Sequence, residues 1–197
     1  MNSNLIGISG FARSGKDTFH ACCKELLTYS GQESKNYSFA SALKQELDPL
    51  LLKYTGISAF TTNDSEKSII RPLLVTYGTD IRRRLNRNCW IDKIKDQIKL
   101  DLQNNLKVFI TDVRFLNEVE WLKSNGGVLV NMSREGVVAA NNDESEQYEL
   151  FKHLIDYRVS WPNLSGDFDT KRLEYVLDSG IFKNSYIGKN FQTPTAK

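Results

Sequence analysis

One nine-residue segment constrains this chain more than any other: Gly10-Phe11-Ala12-Arg13-Ser14-Gly15-Lys16-Asp17-Thr18. It follows the apolar run Leu5-Ile6-Gly7-Ile8, which has the pattern of a buried strand. It precedes Phe19, Cys22, Cys23 and Leu26, which recur at i, i+3, i+4 and i+7 on one helix face. Strand, glycine turn and helix in that order suit an anion. Successive backbone N–H groups wrap a phosphate, and the helix N-terminus adds its positive end. Lys16 then reaches the terminal phosphates as a point charge. An ordinary strand-to-helix glycine turn is the competing reading, and the flanking strand and helix argue against it. One departure matters. The strict pattern has Ser or Thr after the lysine to bind Mg²⁺, and here Asp17 stands there with Thr18 next. Thr18 can hydrogen-bond a phosphate, while Asp17 can hold Mg²⁺ directly or through water.

The rest of the chain alternates strand and helix around a helical block. A second short strand is expected at Asn36–Phe39. Helix follows from Ala40 to about Asn105, with stripes at Leu43, Leu47, Leu50, Leu51, Tyr54; at Ile70, Leu73, Leu74, Tyr77; and at Ile91, Ile94, Ile98, Leu102. The polar stretch Thr61–Ser68 reads as a loop between the first two stripes, and Gly78-Thr79-Asp80 as a turn. Val108–Ile110 is a strand ending at Thr111-Asp112. Leu116, Val119 and Leu122 mark a short helix stopped by Gly126-Gly127. A strand at Val128–Met132, a helix over about 145–155, a strand at Tyr157–Ser160 and a helix at Thr170–Leu177 complete the pattern. The last 18 or so residues read as a poorly specified tail. The expected fold is α/β: a parallel sheet of about five strands covered by helices on both faces. The chain is read as a single domain, with a helical insert at about 40–105 outside the sheet.

A second signal is Thr111-Asp112-Val113-Arg114-Phe115, directly after a strand. Open parallel sheets bind ligands at the carboxyl ends of strands. Asp112 can orient Mg²⁺ or its waters there, and Arg114 can fork onto a second phosphate. The bland alternative is that Asp112 caps the next helix. A third signal is charge. The chain carries 26 basic and 24 acidic residues, so it is no general polyanion binder. Yet residues 71–87 hold Arg71, Arg82, Arg83, Arg84 and Arg87 against Asp80 alone, and residues 135–149 hold five acids and no base. Three adjacent arginines cannot all face one ligand on a helix, and Arg82 with either neighbour reads equally well as surface. His20 and His153 lack a catalytic pattern. Trp90, Trp121 and Trp161 read as packing residues. Three cysteines without CxxC spacing exclude a disulfide framework and a zinc ribbon. No apolar run reaches the ~20 residues of a membrane span, and the N-terminal apolar part is too short for a signal peptide. A reducing cytoplasm is the expected setting, that of the host cell if the protein is viral.

Taken together, these segments resemble the bacteriophage-type deoxynucleoside monophosphate kinases, within the P-loop nucleoside monophosphate kinases. Gly10 to Thr18 resembles the family's phosphate loop, including its R-S-G-K-D variant. Phe39-Ala40 with Leu43-Lys44 is similar to its F-A-x-x-L-K stretch. Arg71, Leu73-Leu74, Gly78-Thr79, Arg82 or Arg83, and Trp90 resemble its R-x-x-L-Q-x-x-G-T…R…W segment, with Val75 where Gln is common. Asp112-Val113-Arg114-Phe115-Leu116-Asn117-Glu118 resembles its D-V-R-F-x-N-E. Ser145-Glu146 resembles H-x-S-E, but Asp143 stands where the family has His. Asp156-Tyr157 to Asn163 resembles the last strand and its Asn. The resemblance covers about residues 4–177 and implies a P-loop kinase fold, with a lid-like segment at about 135–150.

It also implies ATP-dependent phosphorylation of a deoxynucleoside or nucleoside monophosphate, with Mg²⁺. Lys16, Arg114 and Asp112 would be catalytic. Gly10, Arg13, Ser14, Gly15, Lys16, Asp17, Thr18 and Arg134 would bind ATP, and Asp17 and Asp112 the metal. Phe39, Lys44, Arg71, Thr79, Arg82, Trp90, Arg114 and Glu118 would bind the acceptor. No membrane or nucleic-acid partner is expected, and a homodimer is an option the resemblance leaves open. The competing readings are a P-loop kinase of another phosphorylated acceptor, such as phosphomevalonate or dephospho-coenzyme A, a non-catalytic nucleotide-binding module, and a nucleic-acid binder built on the 71–87 patch.

Overall fold

Strand β1, Leu5–Ser9, is buried along its whole length, as an interior parallel strand must be. In the computed structural model, which describes residues 3–161 and 168–182, β1 lies at the centre of a five-stranded sheet of order β2-β3-β1-β4-β5. The others are β2 (Ser34–Tyr37), β3 (Lys107–Ile110), β4 (Val128–Arg134) and β5 (Tyr157–Trp161). β1 pairs in parallel with β3 (Ile6↔Phe109) and with β4 (Ile8↔Val130), and β4 pairs in parallel with β5 (Met132↔Val159). The chain leaves β1 toward β2 on one side and leaves β3 toward β4 on the other. That reversal puts the β1 and β3 carboxyl ends at the switch point where such sheets bind ligands.

Helix α1 (Lys16–Tyr29) and α7 (Phe168–Asp178) cover one face of the sheet. Phe19, Cys22, Cys23, Leu26 and Leu27 of α1 and Leu173 and Val176 of α7 share a core with Ile6, Ile8, Phe109, Val128, Val130, Met132, Val159 and Trp161. Helix α5 (Leu116–Ser124) covers the opposite face. It approaches so closely that Leu122 fills the space a side chain at Gly7 would need. A Cβ there would lie 2.5 Å from Leu122 Cδ2 and 3.1 Å from Val113 Cγ2. A Cβ on Gly127 would meet the same leucine, at 2.6 Å from Cδ1 and 2.8 Å from Cγ. Cys22, Cys23 and Cys89 are all buried. Among the described residues, no helix is long and apolar enough to cross a membrane.

The chain divides into two compact units: Tyr37–Lys99, and the described residues of Met1–Asn36 and Leu100–Lys197. The first contains helices α2 (Phe39–Thr55), α3 (Asp64–Val75), a π-helical turn over Thr76–Arg83, and most of α4 (Cys89–Gln103). Its own cluster holds Leu47, Leu51, Ala59 and Ile70, with Leu43, Ile57, Leu74 and Tyr77 packed against it. Leu50 and Tyr54, placed on the first stripe by their spacing, are exposed, as is Leu73 of the second.

Several boundaries differ from the sequence reading, each for a local reason. β2 ends at Tyr37 because the Ser38 side chain accepts from Ser41 N–H and caps α2, so Phe39 is the first helical residue. The expected loop Thr61–Ser68 is largely helix. The Asn63 side chain caps α3 by accepting from Ser65 and Glu66 N–H, and Asp64 and Glu66 suit the positive first turn. The turn expected at Gly78-Thr79-Asp80 lies inside the π-helical segment. Helix α6 runs Asn142–Phe151, capped by Asn141, and tightens to a 3₁₀ turn at Lys152–Leu154. β4 continues to Arg134. Asn163 and most of the C-terminal tail lie outside the described residues.

Candidate active site

The loop from Gly10 to Gly15 leaves the end of β1 in backbone conformations that few residues accept. Gly10 has φ +135°, Arg13 φ +65° and Gly15 φ +92°. At Gly10 space is decisive as well, because a Cβ would lie 2.3 Å from the Met132 carbonyl oxygen and 2.8 Å from Ser14 Oγ. Gly15 backs onto Trp161, whose indole would stand 3.1 Å from an added Cβ. The turn is closed by Ser14 N–H donating to the Phe11 carbonyl at 3.2 Å and Phe19 N–H to the Gly15 carbonyl at 2.9 Å. No side chain of Gly15 caps α1, so its first-turn amides are left to an incoming anion. Ser14 Oγ is buried and has no hydrogen-bond partner among the described residues. An orphaned hydroxyl inside a glycine-built turn fits a phosphate cradle.

Lys16 Nζ donates to the Gly10 and Phe11 carbonyls, both at 2.7 Å. Its pKa is held below the ordinary lysine value, first by burial and then by the Arg114 charge, against the opposing pull of Asp17, Glu144 and Asp112. Lys16, Arg114, Asp17, Asp112 and Glu144 therefore share one electrostatic neighbourhood. Asp17 is exposed on the first turn of α1, Thr18 half-buried behind it, and Asp112 half-buried just past β3. Arg114 is exposed and Arg134 half-buried at the end of β4. Asp112 does not cap the next helix: α5 begins at Leu116 with Phe115 as its N-cap. Among the described residues no three His, Cys, Asp or Glu side chains cluster as a metal cage. Two carboxylates beside a phosphate loop fit Mg²⁺ that arrives with phosphate oxygens and retains several waters.

Glu118 corrects the sequence reading. It was expected at the acceptor, but it is 1% exposed, and Oε2 accepts from the backbone N–H of Arg114 at 2.8 Å and of Phe115 at 3.1 Å. It is the third residue of α5 and reaches back as in a capping box. Its carboxylate thus shapes the turn that carries Asp112 and Arg114.

The remaining acceptor candidates lie in the Tyr37–Lys99 unit. Phe39 and Trp90 are buried, at 3% and 2% exposure, so neither offers an open ring face. The Trp90 indole N–H instead donates to the Gly78 carbonyl at 3.2 Å. Arg71 and Thr79 are exposed, and Lys44 Nζ sits 5.6 Å above the Phe60 ring. Arg82 is half-buried and paired with Glu46, its Nε 3.1 Å from Oε1. The sequence reading missed Glu46, and no local signal marks it: it is one acid beside a leucine stripe. It also missed Asn131, whose buried Oδ1 has no hydrogen-bond partner among the described residues and which stands in register with Ser9 at the end of β1. A signal existed there, since an amide interrupts the apolar run Val128–Met132. A third omission is the contact between the phosphate loop and α6, where the Phe11 and Tyr148 rings lie 5.6 Å apart.

A family model described as deoxynucleotide monophosphate kinase matches residues 48–148, just over half of the chain. No curated protein matches the chain in sequence. Among solved structures, TT1252 from Thermus thermophilus aligns over 92% of this chain and 97% of its own, at 13% identity and a TM-score of 0.49. Shikimate kinase from Acinetobacter baumannii, in complex with shikimate, aligns over 90% and 94%, at 14% identity and a TM-score of 0.36.

Proposed function

Since the chain belongs to the deoxynucleotide monophosphate kinase family, we propose that it transfers the terminal phosphoryl group of ATP to a deoxynucleoside or nucleoside monophosphate, giving the diphosphate. The observation that carries this reading is the phosphate loop with its orphaned Ser14 hydroxyl and with Lys16 in one charge neighbourhood with Asp112 and Arg114. Phosphoryl transfer demands positioning and charge neutralisation more than covalent help from the protein. The loop amides, Ser14, Thr18 and Lys16 hold the ATP phosphates. Asp17 and Asp112 would hold Mg²⁺, which would supply charge neutralisation to the phosphates. Arg13 and Arg134 lie on the ATP side. Arg114, Arg71 and Arg82, with Lys44 as a weaker contributor, hold the acceptor phosphate. No general base is required, because the acceptor oxygen is already anionic.

An ATP-coupled assay across the ribo- and deoxyribonucleoside monophosphates tests the reading, with Lys16→Ala as the control. Turnover of one or more acceptors, falling by several powers of ten in a folded Lys16→Ala, is the expected result. A folded Lys16→Ala with near-normal turnover, or no turnover of any monophosphate by the wild type, removes it.

A further inference from the structure

We propose that Glu46 is a positioning residue for the acceptor: it fixes Arg82, across a turn of π-helix, as a preset guanidinium for the acceptor's phosphate. The inference rests on the kinase reading above and adds to it a residue outside every motif of the sequence.

Glu46, on α2, binds three partners with its two carboxylate oxygens. Oε1 accepts from the Tyr77 hydroxyl at 2.5 Å and lies 3.1 Å from Arg82 Nε. Oε2 lies 3.1 Å from Lys93 Nζ and 3.4 Å from Arg82 Nη2. The Arg82 guanidinium also stands 5.7 Å over the Trp90 ring. Glu46 thus meets one edge of the guanidinium as an ion pair, with Nε buried and outside hydrogen-bonding geometry and Nη2 donating to Oε2, and Trp90 faces one side of its plane. Nη1 takes no partner among the described residues, and the side chain is 30% exposed. That leaves a planar cation with a fixed plane and a free edge, the form in which arginine recognises phosphate.

The backbone explains how one carboxylate can reach both Tyr77 and Arg82. They are five residues apart, and on an α-helix that spacing separates side chains by about 140°. The segment Thr76–Arg83 is π-helical, and a π turn closes on the fifth residue. The two side chains come to one side, toward α2. Gly78 lets the turn press against that helix, because a Cβ there would lie 2.8 Å from Leu43 Cδ2. Leu43 and Glu46 are three residues apart on α2 and share a face. Trp90 fixes the same turn from behind through its bond to the Gly78 carbonyl. Burial pushes the Glu46 carboxyl upward, but the Tyr77 and Lys93 hydrogen bonds and the Arg82 charge outweigh it and hold its pKa below the usual value. The carboxylate therefore stays charged and keeps its grip at neutral pH. Arg82 and Lys93 together exceed its charge, so the cluster still attracts an anion.

Steady-state kinetics on the full chain test the proposal, using dAMP, dCMP, dGMP and dTMP as acceptors and varying both substrates. Glu46→Gln should raise the acceptor KM roughly tenfold while the ATP KM stays near wild type, because an uncharged amide no longer orients the guanidinium. Arg82→Ala should raise it at least as much, and the double variant should be no worse than Arg82→Ala alone. Glu46→Asp keeps the charge with a shorter reach and should fall between wild type and Glu46→Gln. It carries the same test if Glu46→Gln does not fold. A wild-type acceptor KM in Glu46→Gln and Arg82→Ala, beside normal turnover, overturns this proposal and leaves the kinase reading standing. KM increases that multiply in the double variant, or that affect ATP equally, overturn it too. A wild type that phosphorylates none of the four, and no ribonucleoside monophosphate either, fails at the earlier step and takes the proposal with it.

Discussion

Glu118 allows a test that separates shaping of the site from contact with substrate. Its Oε2 accepts two backbone N–H groups, at 2.8 Å and 3.1 Å, from the turn that carries Arg114. A hydrogen bond to a charged acceptor contributes about 1.5–3 kcal/mol. Both amides are only part-buried, so the lower end of that range applies to each. Glu118→Ala removes both bonds and empties a side-chain site that is 1% exposed. The expected loss is about 3–5 kcal/mol, which for a chain of this size lowers Tm by roughly 6–20 °C. Glu118→Gln keeps one oxygen for the two amides but removes the charge and turns the other oxygen into an NH₂ donor, so it should cost about 1–2 kcal/mol. Urea denaturation of the three proteins measures these differences. In turnover assays kcat should fall in both variants as the Asp112–Arg114 turn loosens. The reasoning fails if Glu118→Ala is as stable as wild type yet raises the acceptor KM tenfold, for Glu118 would then be a direct ligand.

Asp112→Asn and Asp17→Asn should between them lower kcat and raise the Mg²⁺ needed for half-activity; superimposable Mg²⁺ titrations of both variants and wild type would place neither carboxylate at the metal. Arg71→Ala and Arg114→Ala should each raise the acceptor KM about tenfold or more, with Arg114→Ala also lowering kcat and the exposed Arg84→Ala doing little. Two-substrate kinetics check this, and a loss of ATP affinity without any change for the acceptor would reverse the assignment. Lys16 titrates below its ordinary value of 10.5 in the folded chain. Between the folded-state pKa and 10.5 the unfolded chain therefore binds more protons, and stability relative to Lys16→Met should rise with pH across that window. Denaturation at a series of alkaline pH values measures it, and a flat or falling difference contradicts the burial argument.

The central sheet was legible because its strands are short apolar runs set against helices of regular spacing, as at Leu5–Ile8 before Phe19, Cys22 and Cys23. The phosphate loop was legible because its glycines and lysine have fixed spacing. β2 was misplaced by two residues. As a half-exposed edge strand, Ser34–Tyr37 carries no apolar pattern, and the Ser38 cap that ends it is a single side chain. The π-helical turn escaped because Gly78 followed by Thr79 reads as a turn in any local scheme. Only Leu43, Glu46 and Trp90, distant in sequence, show why it winds as it does. Glu118 was placed at the acceptor because the D-V-R-F-x-N-E segment reads as one functional string. Spacing alone does not separate its exposed arginine from its buried carboxylate.

The space that Leu122 takes from Gly7 and Gly127 bears on how this sequence can drift. Neither glycine is there for a left-handed backbone; each is there because one leucine occupies the volume of its missing methyl group. Any side chain at position 7 or 127 displaces Leu122, and a shortened residue at 122 leaves a void beneath β1. Positions 7 and 122 are therefore bound to one another, and substitutions there should be tolerated in combination where each alone is harmful, whereas at 127 the Leu122 carbonyl oxygen, 2.8 Å from an added Cβ, bars a side chain whatever residue stands at 122. Divergent copies of this chain should change positions 7 and 122 together or keep both, and should keep Gly127 throughout.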